Sequence, residues 1–179
     1  MMRTKLGTLF AALSVTFVLG TGCMSISADF VEIKQTIGAD QLTFPGAGAV
    51  AGQQLNVAKA FALNISDDLS SQILYAEVAP LNAAPETGVT TLSHVQMATL
   101  GLQAIEGLPA LELAKFDPAD AVGTDGGLVL KVQTNQDISE YLRKGASFQL
   151  SMTHVAPSQD WSITIELPLL MRVESDISL

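Results

Sequence analysis

The stretch from Trp161 to Val173 constrains the fold more than any other part of the chain. Trp161, Ile163, Ile165, Leu167, Leu169, Met171 and Val173 fall at every second position, with Ser162, Thr164, Glu166 and Arg172 between them. Successive side chains of an extended strand point to opposite faces. The spacing therefore predicts one long strand with a buried face and a solvent face, whereas a helix would scatter the same apolar residues around its circumference. The rest of the chain must supply a second apolar layer to cover so long a face. Pro168 lacks an N–H and predicts an edge position or a bulge where it falls.

Other segments carry the same period more briefly. Phe148, Leu150, Met152 and His154 alternate with Gln149, Ser151 and Thr153, and only the turn residues Ala156 to Asp160 separate them from Trp161. Two alternating runs joined by a short turn predict an antiparallel hairpin. Strands are also expected over 28–36, over 55–65 with Val57, Phe61, Leu63 and Ile65 in phase, over 110–115, and over 128–133 with Leu128, Leu130 and Val132 on one face. The segment 90–105 switches parity between Val95-Met97-Thr99 and Leu100-Leu102-Ala104, which predicts a bulge near Thr99. Ser66 followed by Asp67 and Asp68 predicts a capped helix start. That helix is expected to run to about Glu77 and to turn Leu69, Ile73 and Leu74 to the core. Pro80 and Pro85 bracket an Asn-Ala-Ala stretch expected as loop, and Asp137 is placed to cap a single turn that clips Ile138, Tyr141 and Leu142 to the core. Several strands with one or two short helices give a mainly β chain, expected as a two-layer antiparallel β-sandwich of immunoglobulin-like or jelly-roll type.

The amino terminus has a different character. Arg3 and Lys5 precede an apolar run from Leu6 to Leu19, which ends in Gly20-Thr21-Gly22-Cys23. A basic start, a short apolar run and small residues form the pattern of an export signal. At roughly 14 residues the run is shorter than the ~20 needed to span a bilayer as a helix. Gly22-Cys23 resembles the end of a bacterial lipoprotein signal peptide, in which a small residue precedes a cysteine that receives a diacylglyceryl group before the leader is removed. The family usually has Leu three positions before the cysteine; here Gly20 stands there and Leu19 one position earlier. The resemblance implies a leader over 1–22, a lipidated Cys23 with a short tether over 23–27, and a single domain over 28–179. It also implies anchoring in the cell envelope, at the outer membrane because Met24 rather than Asp follows the cysteine. The alternative cut after Ser27 would give a soluble periplasmic protein.

Cys23 is the only cysteine, so no disulfide competes for it within the chain. The leader holds two of the nine basic residues and none of the eighteen acidic ones, which leaves seven against eighteen and a formal charge of −11 for the remainder. Such a charge repels phosphate backbones, so no nucleic-acid partner is expected. The partners expected are the membrane, through the lipid, and an envelope protein that the residues do not identify.

No constellation of reactive groups stands out, and no enzyme activity or cofactor is expected. His94 and His154 lie in different segments, and a shared zinc would need both to converge with a carboxylate such as Glu166. Asp117, Asp120 and Asp125 place oxygen ligands on one turn-rich stretch, as calcium requires, but without the spacing of an EF-hand. No Gly-x-Ser-x-Gly elbow is present. Arg143-Lys144 is expected as an exposed pair at a strand edge, or against headgroups. Trp161, Tyr75, Tyr141 and the phenylalanines are expected in the core rather than around a ligand. The chain therefore reads as a lipid-anchored structural or interaction module, with a carrier of a hydrophobic ligand, or a hydrolase built from loops, as the alternatives.

Overall fold

The computed structural model describes residues 30–46, 52–63, 65–117, 126–133 and 135–173. Among the described residues the chain is mainly β, an antiparallel sandwich with two short helices. The strands are β1 (Val31–Ile37), β2 (Thr43–Phe44), β3 (Gln54–Phe61), β4 (Ile73–Val78), β5 (Leu81–Thr87), β6 (Val95–Leu102), β7 (Leu111–Phe116), β8 (Leu128–Val132), β9 (Phe148–Val155) and β10 (Trp161–Val173). The helices are α1 (Asp67–Gln72) and α2 (Ser139–Arg143).

The alternating stretch forms β10, and its odd-numbered residues from Trp161 to Met171 are all buried. It lies at the centre of its layer. One side pairs with β1 and, further along, with β2; the other pairs with β5 and then β4. Pro168 is thus flanked on both sides, contrary to the expectation of an edge. The Ala79 N–H donates to the Pro168 carbonyl at 3.0 Å. Because a strand residue aims its N–H and C=O to the same side, the missing donor of Pro168 falls at the junction where β5 gives way to β4. It costs the β1 ladder nothing.

The second layer runs β7-β6-β9-β3, all antiparallel. β8 joins the layers: Leu128, Val129 and Leu130 pair with β5, while Lys131 and Val132 pair with β7. The result is one curled sheet in the order β1-β10-β5-β8-β7-β6-β9-β3.

The expected hairpin of the last two alternating runs does not form. β9 pairs with β3 and β6, and β10 pairs with strands of the other layer. The turn between them crosses the sandwich. Side-by-side pairing would leave both apolar faces looking the same way with nothing opposite; crossing sets them face to face, about 10 Å apart as packed sheets are. The turn is pinned by Ala156 N–H to the Gln53 carbonyl at 2.8 Å and by Gly46 N–H to Asp160 Oδ1 at 2.8 Å.

Three other expectations shift. Ser66 caps α1 by accepting from the Leu69 N–H at 3.3 Å, but the helix ends at Gln72 and Ile73 opens β4. Six residues reach the layer, and pairing with β10 then claims the chain. Leu81–Thr87 is a strand rather than a loop, because Leu81 and Ala83 alternate inward and Pro85 lies beyond the rungs shared with β8. β6 is irregular in two places. Near the expected Thr99 its register with β7 shifts between Leu100 and Gly101, and an unexpected bulge falls at Gln96, where Val95 and Met97 stand against the consecutive residues His154 and Thr153. The slip lets Val95 and Ala98 both face inward, while Met97 turns out.

At the end of the sandwich that holds the helices, Asp137 ties α2 to β4. Its Oδ1 accepts from Ser139 N–H at 2.9 Å and from Ala76 N–H at 3.1 Å. Ile138, Tyr141 and Leu142 are buried as expected. Burial pushes the Asp137 carboxyl up, but the two backbone donors, the Ser139 hydroxyl and the Arg143 guanidinium outweigh it and hold the group below the usual carboxylate range. A depressed carboxyl stabilises the fold above its unfolded pKa, and that contribution disappears as pH falls through the folded value. An Asp137→Ala change is expected to cost about 1 kcal/mol at neutral pH, a modest figure because the carboxylate is exposed and screened. Urea denaturation should show this cost shrinking as pH drops below the ordinary carboxylate range.

Candidate functional site

The feature that stands out chemically lies at the opposite end, where the chain crosses between layers. His154 ends the inward-facing series of β9, Trp161 begins that of β10, and His94 lies just before β6. The register sets His154 beside Val95 on one side and Leu55 on the other. A bond from Val155 N–H to the His94 carbonyl, at 2.9 Å, fixes the approach of His94.

The three rings meet edge to face. The Trp161 indole lies 4.6 Å from the His94 ring and 5.0 Å from the His154 ring, centre to centre, at 80° and 74°. The imidazoles are 5.9 Å apart at 87°. Phe44, on β2, packs on Trp161 at 4.8 Å. His154, Trp161 and Phe44 are wholly buried. Among the described residues, His94 Nε2, both ring nitrogens of His154 and the Trp161 indole nitrogen have no hydrogen-bond partner. Buried polar atoms without partners are expensive, and the near-perpendicular rings around them offer only weak aromatic contact.

Burial pushes the His94 imidazole below the usual histidine range, and the facing His154 adds to this; a bond to the Thr91 backbone opposes both. Burial likewise lowers His154, with partial opposition from the Val155 backbone nearby. Both rings are therefore neutral at pH 7.

His94 also lines an open depression of about 640 Å³, together with Glu86, Gly88, Thr90, Thr91 and Gln159. Gly88 is required there. Its φ is +77°, and a Cβ would come within 2.1 Å of the Asp160 carbonyl oxygen, so the chain after β5 presses against the start of β10 with no room for a side chain. A second depression, of about 340 Å³, lies on the outer face of β3, β9 and β6, with Met97 among polar residues such as Asn56 and Thr153.

The structure thus joins the two histidines but not the carboxylate. Glu166 is on the outward face of β10, and no group of three or more His, Cys, Asp or Glu able to hold a metal occurs among the described residues. Asp117 follows β7, while Asp120 and Asp125 lie outside the described residues, as does Cys23. Arg143 and Lys144 are not at a strand edge: they end α2, where Arg143 donates to the Ile73 carbonyl and Lys144 pairs with Glu140 at 3.0 Å. The alternation of His154 with Phe148, Leu150 and Met152 puts it on their face, where a satisfied or partly exposed histidine is expected; the ring is instead wholly buried, and both its nitrogens lack a hydrogen bond among the described residues. Its partner sixty residues earlier is set by strand register alone.

No family model and no curated protein matches the chain. Solved structures align along most of it with weak superposition. The three-dimensional structure of Cocksfoot mottle virus aligns at 8% identity and a TM-score of 0.31, over 97% of this chain and 98% of that one. That of Desmodium yellow mottle tymovirus aligns at 12% identity and a TM-score of 0.27, over 89% and 98%.

The histidine pair predicts an acid limb in the stability profile. Both rings are shifted below the ordinary value of 6.5. Between that value and the lowered folded ones, the unfolded chain binds the extra protons, so stability falls as pH falls through 6.5 and is level above it. The slope reaches about 1.4 kcal/mol per pH unit for each imidazole. In urea titrations at several pH values, His154→Leu should stay within about 1.5 kcal/mol of the natural chain at pH 7.5, since it removes unsatisfied nitrogens at similar volume. It should also make the acid limb shallower, leaving the share that His94 contributes through its own burial.

Proposed function

We propose that the chain is a lipid-anchored protein of the bacterial cell envelope whose β-sandwich serves as a structural or interaction module. The observation that carries this reading is the basic and apolar leader ending on the lone Cys23. Acyl chains on that cysteine supply the membrane affinity, at about 0.8 kcal/mol for each buried methylene. The acidic domain by itself has little attraction for an anionic leaflet. Met24 favours the outer membrane.

The module reading is favoured over a hydrolase because both ring nitrogens of His154, and Nε2 of His94, lack a Ser or Asp partner among the described residues. A general base needs such a bond to activate a hydroxyl. It is favoured over a carrier because the inward side chains form one contiguous packed cluster, and the two depressions described above are open rather than enclosed. A ligand carrier of ordinary kind surrounds most of its cargo.

The test is the intact mass of the protein extracted from the membranes of a bacterial host. A chain beginning at Cys23 with the added mass of acyl chains is the expected result, and Cys23→Ser should move the protein from the membrane fraction to the soluble fraction. A chain beginning at Ala28 without lipid would replace this reading with that of a soluble periplasmic protein.

A further inference from the structure

We infer that the helix end of the sandwich is a membrane-contacting surface, with Phe30, Val31 and Leu74 seated in the interfacial region of the bilayer. This rests on the proposed anchor at Cys23 and specifies how the domain sits once anchored.

Four large hydrophobic residues are strongly exposed among the described ones: Phe30 at 58%, Val31 at 46%, Leu74 at 45% and Met97 at 44%. Single exposed apolar residues are ordinary, but three of these four gather at one end. Val31 opens β1 opposite Met171, whose other neighbour is Ala76 of β4. Phe30, one residue earlier, reaches over Arg172 to the ring of Tyr75, at 5.7 Å and 87°. Leu74 is the extra residue of the bulge that lets Tyr75 and Ile73 stand against the consecutive Arg172 and Val173. That bulge keeps Ile73 buried and turns Leu74 out.

The occupant is argued from the chain itself. Six residues lie between Cys23 and Phe30, and the seven steps span at most about 25 Å. A lipid on Cys23 therefore holds this end near the leaflet, while the histidines and their depression are at the far end. The polar groups around the patch suit an interface. Tyr75 pairs an apolar ring with a hydroxyl, as aromatic residues at headgroup depth do, and Arg143 and Arg172, the only arginines outside the leader, are both exposed at this end. Asp67 and Glu140 lie there as well, so the end is not strongly basic. Apolar contact, with the anchor, must supply the attraction, and a zwitterionic bilayer should suffice.

The lone cysteine makes this measurable. In the acylated protein the Cys23 sulfur is consumed, so Leu74→Cys introduces the single free thiol, and Met97→Cys gives an equally exposed control at the other end. Each full-chain variant is isolated from membranes, its mass is measured, and it is labelled with a polarity-sensitive dye and reconstituted into phosphatidylcholine vesicles. An unchanged far-ultraviolet circular dichroism spectrum and melting temperature establish that each variant is folded. A blue-shifted emission at position 74, with quenching by lipid-borne nitroxide that is absent at position 97, is expected, and the same response is expected from Phe30→Cys. Acylated protein in which positions 30 and 74 are as wet as position 97 would overturn the contact surface and leave the anchor standing. Protein without acyl mass would overturn both.

Discussion

Burying one face of β10 requires a second layer directly opposite, and nearly every other element is placed by that requirement. A strand of this length exposes apolar side chains over about 40 Å, more than any single neighbour covers. The layer of β9, β6 and β3 meets it at the Trp161 end, where His154 of β9 packs on Trp161, while at the other end α2 buries Ile138, Tyr141 and Leu142. The strands beside it are divided in the same way, β2 continuing β1 on one side and β4 continuing β5 on the other. Pro168 is tolerated in the centre because its missing donor coincides with the break between β5 and β4.

The crossing from β9 to β10 has a chemical consequence. A five-residue turn that spans the layers brings the last inward residue of one and the first of the next together, and those residues are His154 and Trp161. With His94 and Phe44 they fill the end of the core with rings instead of aliphatic chains, leaving polar nitrogens where no donor or acceptor reaches them. The cluster is held neutral by desolvation, so it packs as a set of aromatic plates near pH 7 and becomes a liability in acid.

The two ends of the sandwich differ accordingly. One holds the rings, the close approach of Gly88 to Asp160, and the open depression that His94 lines. The other receives the chain from the amino-terminal segment, carries both helices, and exposes Phe30, Val31 and Leu74. For a protein tethered through Cys23, the second end would face the bilayer and leave the first directed away from it.

Local pattern was enough for much of the architecture: the period-two runs gave β9 and β10, Ser66 marked the start of α1, Asp137 marked α2, and the inward direction of His154 and Trp161 followed from parity. The basic start, the apolar run to Leu19 and the lone Cys23 are features of the sequence alone. Pairing was beyond it, because alternation states which face is buried and says nothing of which strand lies alongside. A hairpin and a crossing between layers have the same turn residues and the same periodicity, and only the need to place two apolar faces opposite each other separates them. For the same reason the end of α1 at Gln72, the bulges at Gln96 and Leu74, the meeting of His94 with His154 and the gathering of Phe30 with Tyr75 were decided by tertiary register, which depends on contacts between residues far apart in the chain.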